Sequence, residues 1–262
     1  MQATPVSQLR IYQEAPSPAL SRIIKRFLVI EFPSLHRDVH LPETNAVAAF
    51  SFRGACQIDG TQLAPAAAFT GPRDFLRTHE HRQSHAVLLA IFAPVGAHTF
   101  LRLPLDAVAG STVSLAELIG RPDELHRLNE RLNTAETHRQ RVALVEQFLL
   151  AKMRSSTPDP LMSAAVDWLE RGTTDAKRID HLARYIGLSQ SALERRFKRI
   201  IGVSPKQFVS LARLRWAAQL QATGADLTTV AHTSGYFDQS HFIKEFRRAT
   251  GSAPSAFFRR TD

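Results

Sequence analysis

The chain contains a single cysteine, Cys56, among 262 residues. One thiol forms no internal disulfide and cannot build a zinc site on two or more thiolates, which points to a reducing compartment. Cys56 itself reads as a small buried hydrophobe. No stretch approaches the roughly 20 apolar residues of a membrane span, and the start, MQATPVSQLRIYQEA, lacks the apolar core of a signal peptide. The expectation is a soluble cytoplasmic protein with no membrane partner. Acidic residues are also scarce, 24 against 33 basic, for a net charge of +9. That balance favours polyanionic partners, with charge alone leaving nucleic acid and acidic membrane surfaces both open. At 44% hydrophobic and 22% charged residues the composition excludes a disordered or fibrous chain, and the length suits two compact units.

The sharpest break is Ser155-Ser156-Thr157-Pro158-Asp159-Pro160, whose prolines bias the residues before them away from helix. Residues 1–154 and 161–262 are therefore expected to be separate domains, with 155–160 as linker. Residues 1–160 carry 17 basic and 15 acidic side chains, whereas 161–262 carry 16 and 9, so the basic excess belongs to the second part. In the first part, apolar runs at Phe27–Phe32, Ala46–Phe52 and Ala86–Phe92 read as strands. Asp59-Gly60 is a hairpin dipeptide, because a type I′ turn needs positive φ at both central positions. A small β-rich barrel or sandwich over the first ~115 residues follows. Beyond Pro122, Leu125, Leu128 and Leu132 share one helical face and Val142, Val145 and Leu149 another. Two helices thus close the first domain, and their apolar stripes make a homodimer and packing on the protein's own sheet equally good readings.

The second part reads as helix throughout and repeats itself. Ile179, Leu182, Ala183, Gly187, Leu193, Phe197, Gly202, Pro205 and Phe208 match Leu227, Val230, Ala231, Gly235, Phe242, Phe246, Gly251, Pro254 and Phe257, at an offset of 48 that becomes 49 from Leu193 onward. Each position has a physical use. A steep crossing of two short helices needs a small residue at the contact, and the turn needs one that tolerates positive φ. The i, i+4 pairs Leu193/Phe197 and Phe242/Phe246 anchor a second helix whose other face stays polar. An amphipathic helix from Pro205 to about Thr223 would join the two units. Two helix-turn-helix units on one rigid connector can place recognition helices in successive major-groove turns, ~34 Å apart. The plain alternative, a helical bundle with solvated charge, leaves the duplication and the local charge unexplained.

The stretches IDHLARYIGLSQSALERRFKRIIGVSP and LTTVAHTSGYFDQSHFIKEFRRATGSAP resemble the DNA-binding region of the AraC-type (AraC/XylS) transcriptional regulators, over about Ile179 to Arg260. The resemblance implies base readers at Ser191, Glu194 and Arg195 in the first unit and at Gln239, Ser240 and Lys244 in the second. Arg196, Lys198, Arg199, Lys206, Arg247 and Arg248 take the role of phosphate contacts or solvated charge. The chemistry suits the assignment: arginine and lysine bond guanine, glutamate accepts from cytosine, and glutamine bonds adenine. Lys244 stands where the family usually has arginine, and Phe257-Phe258 where it usually has Tyr-Arg. The first domain, in PSPALSRIIKRFLVIEF, FTGPRDF and FAPVGAHTFLRLPLDAVAGSTVSLAELIG, is similar to the β-rich sensory domain of part of this family. The implied fold is α+β, with two domains: a β-rich, cupin-like amino-terminal domain with two closing helices, then an all-α double helix-turn-helix domain. The implied protein is a DNA-binding regulator and no enzyme, with double-stranded DNA as partner. RNA polymerase, a small effector and a second copy of the chain remain candidate partners.

His79, His81 and His85 form an H-x-H-x3-H cluster that resembles the metal motif of cupin enzymes. No carboxylate stands at the expected later position, so the expectation is satisfied histidines, with no metal or cofactor. The alternative function is a cupin-type metalloenzyme with a helical DNA-binding appendage. A DNA-repair alkyltransferase is excluded, since one thiol cannot supply both a zinc cluster and a nucleophile. Phe50, Phe52, Phe69, Phe75 and Phe92 either line an apolar pocket or simply fill the core.

Overall fold

The computed structural model describes residues 9–82, 84–153, 157–171 and 179–258. Ser155 and Ser156 of the expected linker lie outside them, as does the 172–178 part of the helical reading.

Among the described residues the first part holds ten strands: β1 (Arg10–Glu14), β2 (Ile24–Phe32), β3 (His36–His40), β4 (Val47–Arg53), β5 (Cys56–Ile58), β6 (Gln62–Leu63), β7 (Ala67–Thr70), β8 (Arg77–His81), β9 (His85–Phe92) and β10 (Thr112–Ser114). They form two antiparallel sheets, ordered β1-β2-β9-β4-β7-β10 and β3-β8-β5-β6. The three expected apolar strands are β2, β4 and β9, adjacent at the centre of the larger sheet. β9 is buried along almost its whole length, as a strand covered on both faces must be. The Asp59-Gly60 hairpin has positive φ at both residues, 50° and 78°, as a type I′ turn demands.

Helix α1 (Gly96–Leu101) lies between β9 and β10, and α2 (Leu115–Ile119), α3 (Pro122–Thr134) and α4 (His138–Lys152) lie between β10 and the linker. Thr137 caps α4 reciprocally with Gln140, which satisfies two of its free amides. The apolar stripes of α3 and α4 are spent inside the molecule: Leu125, Leu128, Leu132, Val142, Val145 and Leu149 join one core with Phe50, Phe69 and Phe92. Phe50 meets Phe148 of α4 edge-on at 6.2 Å. Packing on the protein's own sheet is thus the use these stripes have. Of the five phenylalanines considered as pocket lining, Phe50, Phe52, Phe69 and Phe92 are core, and Phe75 is 40% exposed with the Arg77 guanidinium over its ring.

The described residues that follow hold α5 (Pro160–Arg171), α6 (Ile179–Tyr185), α7 (Gln190–Ile201), α8 (Pro205–Ala222), α9 (Leu227–Thr233), α10 (Gln239–Thr250) and α11 (Pro254–Phe258). Each expected helix-turn-helix feature is in place. Ala183 and Ala231 are buried, and Gly187 and Gly235 hold φ of 71° and 76°. Ser189 caps α7 and Asp238 caps α10, while Ser204 and Gln207 cap α8 reciprocally with Pro205 at its first position. Two separate cores result. One gathers α5, α6, α7 and the start of α8 around Phe197 and Phe208; the other gathers Leu214, Ala217, Val230, Ala231, Tyr236, Phe242 and Phe246.

Cys56 is buried, and that burial, helped by the Asp38 carboxylate, pushes its thiol up to about 12. A thiol reagent at pH 8 is expected to leave it unmodified until the chain is unfolded, because only the thiolate attacks. Fast labelling of the native protein would contradict this.

Candidate nucleic-acid interface

The helices α7 and α10 each bury one side and present the other. On α7, Leu193 and Phe197 face the core, whereas Ser191, Glu194, Arg195, Lys198 and Arg199 are exposed. On α10, Phe242 and Phe246 face inward, and Gln239, Ser240, Lys244, Arg247 and Arg248 are exposed. Six basic side chains are therefore exposed on the two outer faces together with the polar candidates, and Lys206 is exposed at the start of α8. The connector α8 spans 18 residues, about 27 Å at 1.5 Å per residue, and carries buried residues of both cores along it. Arg213 stiffens the second junction, donating to Gly235 O at 3.2 Å and lying over the Tyr236 ring at 5.2 Å.

Local bonds tune these faces. Gln190 donates to Glu194 Oε1 at 2.9 Å, one helical turn away, and Thr228 Oγ1 donates to Gln239 Oε1 at 3.4 Å. Glu245 sits between the second helix and the connector, accepting from Ser210 at 3.2 Å with His241 and Arg248 within 4.0 Å. One exposed side chain escaped the sequence reading. Phe237, immediately before the Asp238 cap, is 91% exposed, an unusual position for a large aromatic.

Arg196 is placed differently from its neighbours. It is half-buried and its guanidinium grips Asp159 through Nε at 2.9 Å and Nη2 at 2.6 Å. Asp159 also caps α5, accepting from the Leu161 and Met162 amides at 3.1 Å. In this arrangement Arg196 ties α7 to the chain segment before α5. With Arg102 and Arg199, this pair lines an open cleft of about 610 Å³ between the β-rich and helical parts. The two parts meet elsewhere too: Val95 packs into the first helical core, Leu41 against the second, and Glu43 pairs with Arg215 of α8.

Residues 182–260 match the family model described as a helix-turn-helix domain. The chain is 30% identical over 96 residues to the transcriptional activator RhaS of Pectobacterium carotovorum, covering 36% of this chain and 34% of that protein. It is 30% identical over 100 residues to an AraC-like transcription regulator of Streptomyces antibioticus, covering 38% and 33%. RhaS of Escherichia coli is 29% identical over 145 residues, covering 53% and 51%. The chain thus spans about a third to a half of the length of these relatives. Among solved structures, ToxT of Vibrio cholerae aligns over 96% of this chain and 98% of its own at 12% identity and a TM-score of 0.49. The DNA-binding domain of AdpA aligns over 39% and 92% at 27% identity and a TM-score of 0.35. The carboxy-terminal region is a double helix-turn-helix domain. Residues 182–260 match that helix-turn-helix family model, and the region is similar to that of the AraC-like regulators just named.

Proposed function

We propose that the protein is a sequence-specific transcriptional regulator that binds double-stranded DNA and performs no catalysis. The observation carrying this reading is the pair of capped helices, α7 and α10, with polar and basic outer faces on one rigid connector. Ser191, Glu194 and Arg195 read bases in one major-groove turn, and Gln239, Ser240 and Lys244 in the next. Lys198, Arg199, Lys206, Arg247 and Arg248 meet phosphates; Arg196 joins them only when its bond to Asp159 opens. Phe237 is placed to touch a thymine methyl group beside the second reader helix. The division into an amino-terminal domain at 1–154, a linker at 155–160 and a DNA-binding domain at 161–262 belongs to the same reading. So do a cytoplasmic location and control of DNA binding by a small effector on the amino-terminal domain.

Unbiased selection of duplex DNA by the full chain tests the reading. It predicts one enriched motif with two half-sites about a helical turn apart and an affinity that falls steeply with salt. Enrichment of no motif would end it. Within that motif, Arg195→Ala is expected to relax one base position by about 1–3 kcal/mol, while Lys198→Ala weakens all sequences alike and lowers the salt slope by about one unit. Equal effects of the two substitutions on specificity would reassign Arg195.

A further inference from the structure

The smaller sheet carries an unusual inner surface. β3 and β8 pair with Asp38 directly opposite His79 and with His36 opposite His81. Because side chains alternate along a strand, His79 and His81 share a face with Asp38. The sequence motif looked for a carboxylate later in the chain; the fold supplies one 41 residues earlier, from the neighbouring strand. His85, the third histidine of the motif, lies on β9 in the other sheet and reaches the cluster from behind.

One donor atom from each of Asp38, His79 and His81 lies within 4.8 Å of the others. Asp38 Oδ1 is 3.4 Å from His81 Nε2 and 4.0 Å from His79 Nδ1. A tetrahedral ion with bonds of 2.0–2.1 Å spaces its ligands about 3.3 Å apart, so small side-chain adjustments close the site. His81 is only 5% exposed, yet its Nε2 and the facing Asp38 Oδ1 are buried atoms without a hydrogen-bond partner. The rest of the ring is fully engaged: Phe32 stacks on it at 3.6 Å, and Nδ1 bonds His85 Nδ1 at 2.9 Å. His85 Nε2 in turn bonds Ser51 Oγ at 3.1 Å. If His81 Nδ1 and His85 Nε2 are the donors along this chain, Nε2 of His81 is left as a bare lone pair aimed at a carboxylate oxygen. In that tautomer two acceptors face each other out of water, and a cation between them satisfies both, while the other carboxylate oxygen, Asp38 Oδ2, pairs with His40 Nε2 at 3.2 Å. The supporting chain is also the arrangement metal-bound histidines use, with the second ring nitrogen fixed by an outer partner.

We propose that Asp38, His79 and His81 form a site for one divalent first-row transition-metal ion, oriented by His85 and Ser51. Two imidazoles and one carboxylate suit zinc, iron, nickel or cobalt rather than magnesium or calcium, and they leave coordination positions open for water or a small anionic ligand. The site stands independently of the DNA-binding reading.

The test uses the full-length chain without an affinity tag, stripped with chelator and titrated separately with Zn²⁺, Co²⁺, Ni²⁺ and Mg²⁺ by calorimetry, with metal content counted by elemental analysis. One transition ion per chain is expected and Mg²⁺ is not taken up. Asp38→Asn and His79→Gln are expected to weaken binding by about 100-fold or more, and His85→Gln, which removes only an outer partner, by about 10–100-fold. The Co²⁺ form should show a visible absorption band that the Asp38→Asn protein lacks. Far-UV circular dichroism establishes that each variant is folded; His79 is partly exposed, so its variant carries the test if substitution at Asp38 unfolds the sheet. Absence of stoichiometric binding by the unaltered chain overturns the site. So does binding that persists unchanged in His79→Gln, which would place the ion on other histidines.

Discussion

Phe246→Ala is expected to unfold the second helix-turn-helix unit while the first stays folded. Phe246 is completely buried and its ring meets Phe242 at 5.6 Å, Phe257 at 5.5 Å and Phe258 at 5.7 Å. Truncating such a side chain costs about 3–5 kcal/mol in transfer and cavity terms. The core it leaves has six other buried members, two of them alanines, so little remains to hold α9, α10 and α11 together. The first unit has its own core, built on Leu193, Phe197 and Phe208, and does not draw on Phe246. Hydrogen exchange read by mass spectrometry checks this. Peptides over 227–258 should lose protection while those over 179–201 keep it. Uniform loss across both units would mean that the two cores fold as one, and unchanged protection would mean that the cavity is tolerated.

The helical half was legible because its determinants are local. A small residue at the helix crossing, a turn glycine and an i, i+4 apolar pair each act within one or two turns, and the duplication displayed them twice. Ser189, Ser204 and Asp238 do what their types suggest. The Asp59-Gly60 hairpin and the three apolar strands were readable for the same reason. Strands β3 and β8, His-Arg-Asp-Val-His and Arg-Thr-His-Glu-His, gave no apolar alternation, because the face they turn to one another's cluster is polar. The partner of His79 and His81 was therefore invisible: pairing across a sheet is a property of register, which strands without an apolar face barely specify from sequence. Contacts between the two parts were equally hidden. Nothing local in Arg196 announces that it bonds Asp159 instead of standing free, and nothing in Arg215 announces Glu43, 172 positions away. Short helices such as α1 and α2, with six and five residues, were likewise below what periodicity resolves.

The repeat also sets up a controlled comparison, in which Gly202→Ala is expected to cost roughly 2–4 kcal/mol and Gly251→Ala about 1–2. Both glycines end the second helix of a helix-turn-helix unit in the left-handed region, with φ of 91° and 73°, and both donate to a carbonyl four residues back at 2.8 Å. A side chain at either position meets the same backbone penalty. Their surroundings differ. A Cβ at Gly251 would find nothing within 4 Å, whereas one at Gly202 would lie 3.0 Å from Pro72 Cγ and 3.4 Å from Leu105 Cβ, both in the β-rich part. The excess at Gly202 is thus the overpacking of the contact between the two parts, and it should vanish on a Pro72→Ala background, where the crowding ring atoms are gone. Urea melts of the four proteins and of the double variant measure each term. Equal losses at Gly202 and Gly251 would show that the β-rich part does not press on the end of α7 in solution. An excess that survives Pro72→Ala would put its origin within the helix.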